Sequence, residues 1–192
     1  MKRTRYEYLY ELVDLLQPKS IIEIGVAKGK TAKNMLSRSG KDTRYTGYDV
    51  FDFSDKEFHK MVGNGKEVWS LHEIRRRLAD YGDKVQLIKG MTQDTLWKTP
   101  KSAELVFIDG DHRVESIRGD HKAVAGSKVI VFDDYYLDDH GLFDMKNYGC
   151  HSIVNQLQNI SITPPCEKLP HVRLAIWCED DDTHERIQEI LV

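Results

Sequence analysis

Short apolar runs alternate with helical segments along most of this chain. The runs are rich in β-branched residues, whereas the segments between them carry apolar residues at helical spacing. Such alternation builds βαβ units around a mainly parallel sheet, and near-continuous apolar strands indicate a sheet that is covered on both faces. The predicted strands are residues 20–25, 45–50, 84–88, 104–109 and 128–132, with closing strands at 160–163 and 172–178.

These elements predict an α/β fold. We expect a Rossmann-like, doubly wound, mainly parallel seven-stranded sheet with helices on both faces. A length of 192 residues suits one substantial core, so we predict a single domain over residues 1–192. A stretch at about residues 51–70 is aromatic, charged and interrupted by Gly63 and Gly65, and we predict a lid insertion there. The helices are predicted at residues 6–16, 30–37, 71–81, 116–124 and 152–158.

The composition indicates which cellular environment and which classes of partner to expect. A formal net charge of -3 gives no electrostatic reason to expect a nucleic-acid partner. No apolar run approaches the roughly 18 residues that a membrane span needs, so we expect no membrane association. Cys150, Cys166 and Cys178 are odd in number and lack the spacing of a metal finger. Reduced thiols, and therefore a cytoplasmic protein, are the expectation.

A glycine loop follows the first predicted strand, where doubly wound sheets bind their ligands. Its sequence from Glu23 to Thr31 is EIGVAKGKT. A dinucleotide site would have a second glycine at the position of Ala27, so that interpretation is weak. A phosphate-binding loop with the pattern GxxxxGK[ST] is a closer match, but the stretch from Gly25 to Thr31 is one residue short. The third interpretation is a loop that holds the methionine part of S-adenosylmethionine, a ligand without phosphate.

A second acidic residue favours the third interpretation. Asp49 ends the second predicted strand, beyond Glu23 in the chain. An acid at that position can accept hydrogen bonds from ribose hydroxyls. The alternative is that the glycines only make a tight turn and that Asp49 is a surface acid.

Three more acids follow the fourth and fifth predicted strands. Asp109 ends the fourth strand, and Asp133 and Asp134 end the fifth. Neighbouring strands lie about 4.8 Å apart, so these carboxylates would converge and repel one another unless they bind a cation or a proton. Oxygen ligands suit magnesium, manganese or calcium. His112 has the pKa range of a general base that could deprotonate a metal-bound hydroxyl.

A simpler alternative is that these acids cap helices or form ion pairs. Arg113, Arg118 and Lys128 are the cations that we consider as their partners. Three acids at two strand ends with a histidine beside them favour the metal hypothesis over this one.

The sequences FIDGDH and VIVFDDY, together with IEIGVAKGKT, resemble a known family. They are similar to class I S-adenosylmethionine-dependent methyltransferases, particularly metal-dependent sugar and natural-product O-methyltransferases of the macrocin O-methyltransferase type. The resemblance runs from about Ser20 to Tyr136. Relatives often have Glu or His where this chain has Asp133, which leaves the order of metal ligation open. The sequence also leaves open whether the chain forms a homo-oligomer.

The resemblance implies a role for each residue in the matching motifs. The methionine part of S-adenosylmethionine would contact Glu23, Gly25, Gly29 and Thr31. Asp49 would bind the ribose, and the adenine would lie against Gly90, Met91 and Thr92. The metal, with Mg²⁺ as the first choice, would bind Asp109, Asp133 and Asp134, and Asp109 would also border the cofactor. His112 would be the catalytic base.

The expected function is therefore metal-assisted methyl transfer from S-adenosylmethionine to a hydroxyl group of a small molecule, such as a sugar or polyol. Two alternatives remain. One is a nucleotide-binding enzyme that uses the loop from Gly25 to Thr31 for phosphate, and the other is a binding module that keeps the fold without catalysis. The Asp-Gly-Asp-His sequence after the fourth strand disfavours methylation of nucleic-acid amines, since enzymes of that class usually carry an Asn/Asp-Pro-Pro-Tyr/Phe motif there.

Overall fold

The structure is a computed structural model that describes residues 3–52, 69–137, 141 and 144–191. In this part of the chain, seven strands form one sheet in the order β3-β2-β1-β4-β5-β7-β6. Strands β1 to β5 are parallel, and β7 runs antiparallel to both β5 and β6. The strands are β1 (Ser20–Ile24), β2 (Arg44–Asp49), β3 (Val85–Lys89), β4 (Leu105–Ile108), β5 (Val129–Tyr136), β6 (Ile160–Ile162) and β7 (Val172–Cys178).

Helices cover both faces of this sheet, as the sequence predicts. Two separate clusters of buried apolar side chains lie on the two faces. Helices α1, α2, α3 and α6 pack on one face, and α4 and α5 pack on the other. The helices are α1 (Arg5–Leu16), α2 (Lys30–Arg38), α3 (Leu71–Arg77), α4 (Val114–Ala123), α5 (His151–Val154) and α6 (Asp181–Ile190), and a 3-10 helix spans Ala79–Lys84. The predicted doubly wound α/β fold is confirmed.

Helix α1 is stabilised by a cap at its start and by packing along one side. Thr4 and Glu7 form a capping box at its start, which satisfies backbone N–H groups that would otherwise lack partners. Leu9, Leu12 and Val13 are fully buried against the sheet and the neighbouring helices. This packing holds the first turn of α1 close to the ends of β4 and β5.

Several boundaries differ from the sequence prediction. The predicted fifth strand ends at residue 132, but β5 continues to Tyr136 through an irregularity between Phe132 and Tyr135. The predicted helix over 71–81 ends early and continues as the 3-10 helix. Helix α6 lies outside the predicted elements, although Asp180 gives it a recognisable N-cap by accepting a hydrogen bond from the backbone N–H of Thr183 at 2.8 Å.

The predicted lid at about residues 51–70 lies mostly outside the described residues. Its two ends are described, and they meet: the N–H of Asp52 donates to the carbonyl of Trp69 at 3.2 Å. Both ends lie next to the carboxyl end of β2. Within the described ranges, no helix is long and apolar enough to cross a membrane.

Gly119 in α4 gives a test of the packing on the second face. Alanine is normally better than glycine in a helix by roughly 1 kcal/mol. Here an added Cβ would lie 2.1 Å from the ring of Trp97, which cannot easily move because its Nε1–H donates to Asp120 at 2.7 Å. We therefore expect Gly119→Ala to lower the free energy of unfolding, by about 1–3 kcal/mol in urea denaturation.

Gly126→Ala is the matched control, because its added Cβ would meet Ser102 at an ordinary 3.5 Å. A Gly119→Ala protein that is more stable than the wild type would show that the ring of Trp97 is not fixed.

Candidate active site at the carboxyl end of the sheet

The glycine loop lies directly against the end of β4. Gly25 has a φ of 91°, a conformation that side chains with a Cβ rarely adopt. Its N–H donates to the carbonyl of Tyr48 at 2.9 Å, and a Cβ at this position would lie 2.0 Å from the carbonyl oxygen of Asp109. Glycine is required there because the loop contacts the strand end so closely that no room is left for a side chain.

Asp49 connects the ends of β2 and β3 to the same loop. Its carboxylate accepts a hydrogen bond from the N–H of Ala27 at 2.7 Å and another from the N–H of Phe51 at 3.2 Å. Its carbonyl accepts from the N–H of Gly90 at 3.0 Å. Asp49 is half-buried, so its carboxylate borders solvent at the position predicted for the ribose contact. Asp49 therefore holds the turn through hydrogen bonds. A surface acid without a structural role, the alternative considered above, would not make these contacts.

Glu23 lies under the loop, in the core. It is 1% exposed and accepts a short hydrogen bond from the hydroxyl of Tyr45. Burial raises the pKa of Glu23 to about 8, with a smaller contribution in the same direction from Asp49, and the hydrogen bond from Tyr45 opposes the change. The predicted contact of Glu23 with the methionine part of a cofactor stays a prediction.

The remaining predicted cofactor residues lie around this loop. Gly29 is the N-cap of α2, and Thr31 in the first turn of α2 is hydrogen-bonded to Tyr10 of α1. Gly90 and Met91 follow β3, where the carbonyl of Met91 accepts from the N–H of Asp94 at 3.0 Å.

Thr92, also after β3, is hydrogen-bonded to Asp120. Burial raises the pKa of Asp120 to about 6, although Trp97 and Thr92 both donate to its carboxylate. Asp120 lies beside the predicted adenine position, and the sequence analysis did not identify it. It occupies an ordinary mid-helix position in α4, which gives no signal in the sequence.

Asp109 and Asp133 meet at the ends of β4 and β5, as predicted, but side chains of α1 lie between them. The hydroxyl of Tyr6 is 3.1 Å from Oδ2 of Asp109 and 3.2 Å from Oδ2 of Asp133. Arg5 binds Asp133 at two points, with Nε 2.6 Å from Oδ1 and Nη2 2.9 Å from Oδ2. The side chain of Asp133 is only 1% exposed and that of Arg5 is 16% exposed, so the carboxylate of this ion pair is buried.

Asp134 forms a second pair, with His112. Nδ1 of His112 lies 2.8 Å from Oδ2 of Asp134, and the hydroxyl of Tyr136 donates to the same oxygen at 3.0 Å. Burial acts to raise the pKa of Asp134, but the hydrogen bond and charge of His112 outweigh it and lower the pKa below its usual value. The pair joins the ends of β4 and β5.

A strained backbone places Asp134 in this position. Its φ is 57°, a left-handed conformation that costs a residue with a Cβ of order 1 kcal/mol or more. The irregularity in the pairing of β5 with β7 falls at the same point. It lets two consecutive carboxylates, Asp133 and Asp134, reach different partners at one edge of the sheet.

These contacts correct the predicted metal site. The three predicted ligands do converge, but Asp133 uses both of its oxygens for Arg5, and Asp134 holds His112. Among the residues that the structure describes, no group of three or more His, Cys, Asp or Glu could hold a metal ion. The donor set therefore does not fit the predicted Mg²⁺ ion at Asp109, Asp133 and Asp134.

The predicted ion-pair alternative is also revised. Arg113 pairs with Asp111, and Lys128 pairs with Glu104 at 2.9 Å, so neither cation serves the three acids in the way considered above. Arg5, which was not predicted, is the cation that contacts Asp133 and Asp134, whereas Asp109 accepts a hydrogen bond from Tyr6. Arg5 is the first residue of α1, where the helix dipole disfavours a positive charge by roughly 0.3–1 kcal/mol unless a tertiary partner compensates. Because the helix was predicted to begin at residue 6, this position was not visible in the sequence pattern.

Comparisons with known proteins agree with this architecture. A family model described as a methyltransferase domain matches residues 22–135. The O-methyltransferase TomG from Streptomyces achromogenes, solved with SAM, superposes with a TM-score of 0.62 at 18% identity, over 91% of this chain and 79% of that chain. The O-methyltransferase from Bacillus cereus, solved with SAH, gives 0.65 at 15% identity, over 93% and 82%. A methyltransferase from Geobacter sulfurreducens gives 0.59 at 15% identity, over 93% and 80%.

At these identities the superpositions show the shared fold. A search of the curated proteins gives no significant match to this sequence.

The buried carboxyl of Glu23 predicts a pH dependence of stability. Below pH 4.5 both the folded and the unfolded chain hold its proton, whereas between 4.5 and about 8 only the folded chain does. The free energy of unfolding should therefore fall as pH rises through that range, by at most about 1.4 kcal/mol per pH unit from this group. Glu23→Gln keeps an acceptor for Tyr45 and cannot ionise, so it should flatten the decline in urea unfolding measured from pH 5 to pH 8.

Glu115→Gln is the control, because Glu115 is exposed on α4. Equal slopes for the wild type and Glu23→Gln would contradict the raised pKa.

Proposed function

The chain belongs to the methyltransferase domain family, and on that premise we propose that it transfers a methyl group from S-adenosylmethionine to a hydroxyl oxygen of a small molecule. Membership confirms the predicted resemblance to class I methyltransferases, because the matched region includes the glycine loop and both acidic strand ends. The observation that carries the proposal is the His112–Asp134 pair, which lies beyond the last paired residues of β4 and β5, on the same edge of the sheet as the glycine loop.

The loop geometry favours a nucleoside without phosphate. The N–H of Ala27, which a phosphate-binding loop would direct at an anion, donates instead to the carboxylate of Asp49. A carboxylate at this position repels a polyphosphate, but it suits ribose hydroxyls, which are donors. Two of the structures with this fold were solved with SAM or SAH. The residues present therefore fit S-adenosylmethionine better than a nucleoside triphosphate.

The His112–Asp134 pair has the arrangement of a general base with a partner that orients it. Asp134 accepts a hydrogen bond from Nδ1–H of His112, which selects the tautomer with an unprotonated Nε2. Nε2 can then accept a proton from a hydroxyl group. The resulting imidazolium is stabilised by the adjacent carboxylate of Asp134.

His112 and Asp134 can together accept the proton that an O-methylation releases. When bound, S-adenosylmethionine supplies an electrophilic methyl group on a sulfonium sulfur. His112 takes the acceptor's hydroxyl proton as the new carbon–oxygen bond forms and the carbon–sulfur bond breaks. The positive charge of the sulfonium thus ends on the imidazolium, beside Asp134, and then leaves to solvent as a proton.

A polar acceptor such as a sugar or polyol suits the surroundings of His112. The half-buried Tyr136 places its hydroxyl group beside Asp134 and the partly exposed His112. Such groups would exchange hydrogen bonds with several hydroxyls of one acceptor. The partly exposed side chain of His112 gives the acceptor access to the base.

Cofactor binding is the first test. Isothermal titration calorimetry should show binding of S-adenosylhomocysteine and none of ATP. Asp49→Asn keeps an acceptor for Ala27 but loses the charged acceptor for ribose, so it should weaken S-adenosylhomocysteine binding by about tenfold. Asp42→Asn, on an exposed residue at the opposite end of β2, should bind like the wild type.

Tight ATP binding without affinity for S-adenosylhomocysteine would instead support the nucleotide-binding alternative.

Catalysis is the second test, with transfer of a labelled methyl group to a panel of sugars, polyols and phenols. His112→Ala should lower kcat by about 10²- to 10⁴-fold, because it removes the base, while S-adenosylhomocysteine still binds. His72→Ala is the control, since His72 is exposed on α3. A panel on which the wild type is no faster than His112→Ala, despite normal cofactor binding, would favour the binding module without catalysis.

A further inference from the structure

We propose that the guanidinium of Arg5 is the resident cation of the strand-end acids, in the place where the family resemblance implies a divalent metal ion. Asp109, Asp133 and Asp134 all lie within reach of the first turn of α1. Three carboxylates in one small volume require positive charge or protons. The structure supplies that charge from within the chain.

The contacts of Arg5 are those expected of a cation that occupies the site. Its guanidinium makes a two-point ion pair with Asp133, at 2.6 and 2.9 Å, and lies 3.8 Å from Oδ1 of Asp134. Two-point pairs of this kind combine charge neutralisation with a fixed orientation. Burial acts to lower the pKa of Arg5, but Asp133 and its neighbours raise it above the usual value, so the charge is permanent.

Tyr6 completes the arrangement by occupying the space between the two strand ends. Its hydroxyl is within hydrogen-bond distance of both Asp109 and Asp133. Burial, together with both carboxylates, raises the pKa of Tyr6, so the hydroxyl keeps its proton and acts as a donor. A magnesium ion would need carboxylate oxygens at about 2.1 Å. The oxygen Oδ2 of Asp133 already accepts from both Arg5 and Tyr6.

These two side chains are held in place by their own packing. The guanidinium of Arg5 lies 4.9 Å from the ring centroid of Tyr6, and that ring packs edge-on against Phe107 of β4 at 6.1 Å. The buried side of α1 anchors both residues to the sheet. Displacement of Arg5 by a metal would therefore leave a largely buried guanidinium, 16% exposed, without its carboxylate partner, which is unfavourable.

Arg5 then acts on the reaction as a positioning residue. It neutralises Asp133 and lies close to Asp134, whose other oxygen holds His112. Asp134 can thus orient His112 without an ion beside it. This last step depends on the proposed function, whereas the cation assignment itself does not.

Manganese titration tests the assignment, with bound Mn²⁺ measured by electron paramagnetic resonance. The wild type should show no saturable site. Arg5→Ala removes the cation beside Asp133 and Asp134, so it should bind Mn²⁺ at least about tenfold more tightly than the wild type. The double variant with Arg5→Ala and Asp133→Asn should lose this gain.

Two further variants distinguish a specific manganese site from a general effect of net charge. Arg3→Ala changes the net charge equally, but Arg3 forms an exposed pair with Glu11, so no manganese site should appear. Arg5→Lys keeps a cation at the site and should also gain none. The assignment is overturned if the wild type binds Mn²⁺ at a site that Asp133→Asn abolishes, and this comparison remains decisive if Arg5→Ala does not fold.

The same samples distinguish this inference from the proposed function. Absence of S-adenosylhomocysteine binding would refute the proposed function and leave the manganese result intact. If methyl transfer is observed, treatment of the wild type with EDTA should leave its rate unchanged. A rate that is lost with EDTA and restored by Mn²⁺ would overturn the role assigned to Arg5.

Discussion

Compensation of buried negative charge at the ends of β4 and β5 is the constraint on which the site depends. A parallel sheet brings the carboxyl ends of neighbouring strands together, and here those ends carry Asp109, Asp133 and Asp134. An unpaired carboxylate as buried as Asp133 would be unstable in its charged form. The chain satisfies it with Arg5 from the first turn of α1. Helix α1 is therefore part of the site as well as part of the core.

Backbone contacts join this charged region to the glycine loop. Gly25 packs against the carbonyl of Asp109, and the N–H of Asp109 donates to the carbonyl of Ile24 at 2.8 Å, so the loop and the end of β4 are joined directly. The segment before α5 binds both members of the pair: the carbonyl of Asp134 accepts from the N–H of Cys150, and the N–H of Gly149 donates to the carbonyl of His112. The His112–Asp134 pair is thus held through main-chain bonds as well as by its own hydrogen bond. This is the rigidity that a base needs if it is to meet an acceptor in one orientation.

Two buried carboxyl groups near the proposed cofactor position have pKa values that are raised for the same physical reason. Burial raises the pKa of Glu23 to about 8 and that of Asp120 to about 6, and both carboxyls are hydrogen-bonded to aromatic side chains. They support the loops from inside the protein, whereas Asp49 meets solvent at the edge. These acidic residues therefore perform different tasks, according to how deeply each is buried.

The sequence determined the succession of the seven strands and of the helices up to α5, the glycine loop, and the meeting of three acids with His112, because these depend on local periodicity and on the parallel arrangement of strand ends. The tertiary structure alone decided which cation meets those acids. Arg5 and Asp133 are 128 residues apart, and no local pattern links residues at that separation. The inward orientation of Glu23 and the strained backbone of Asp134 were likewise decided by packing, because both arise from contacts between elements and not within them.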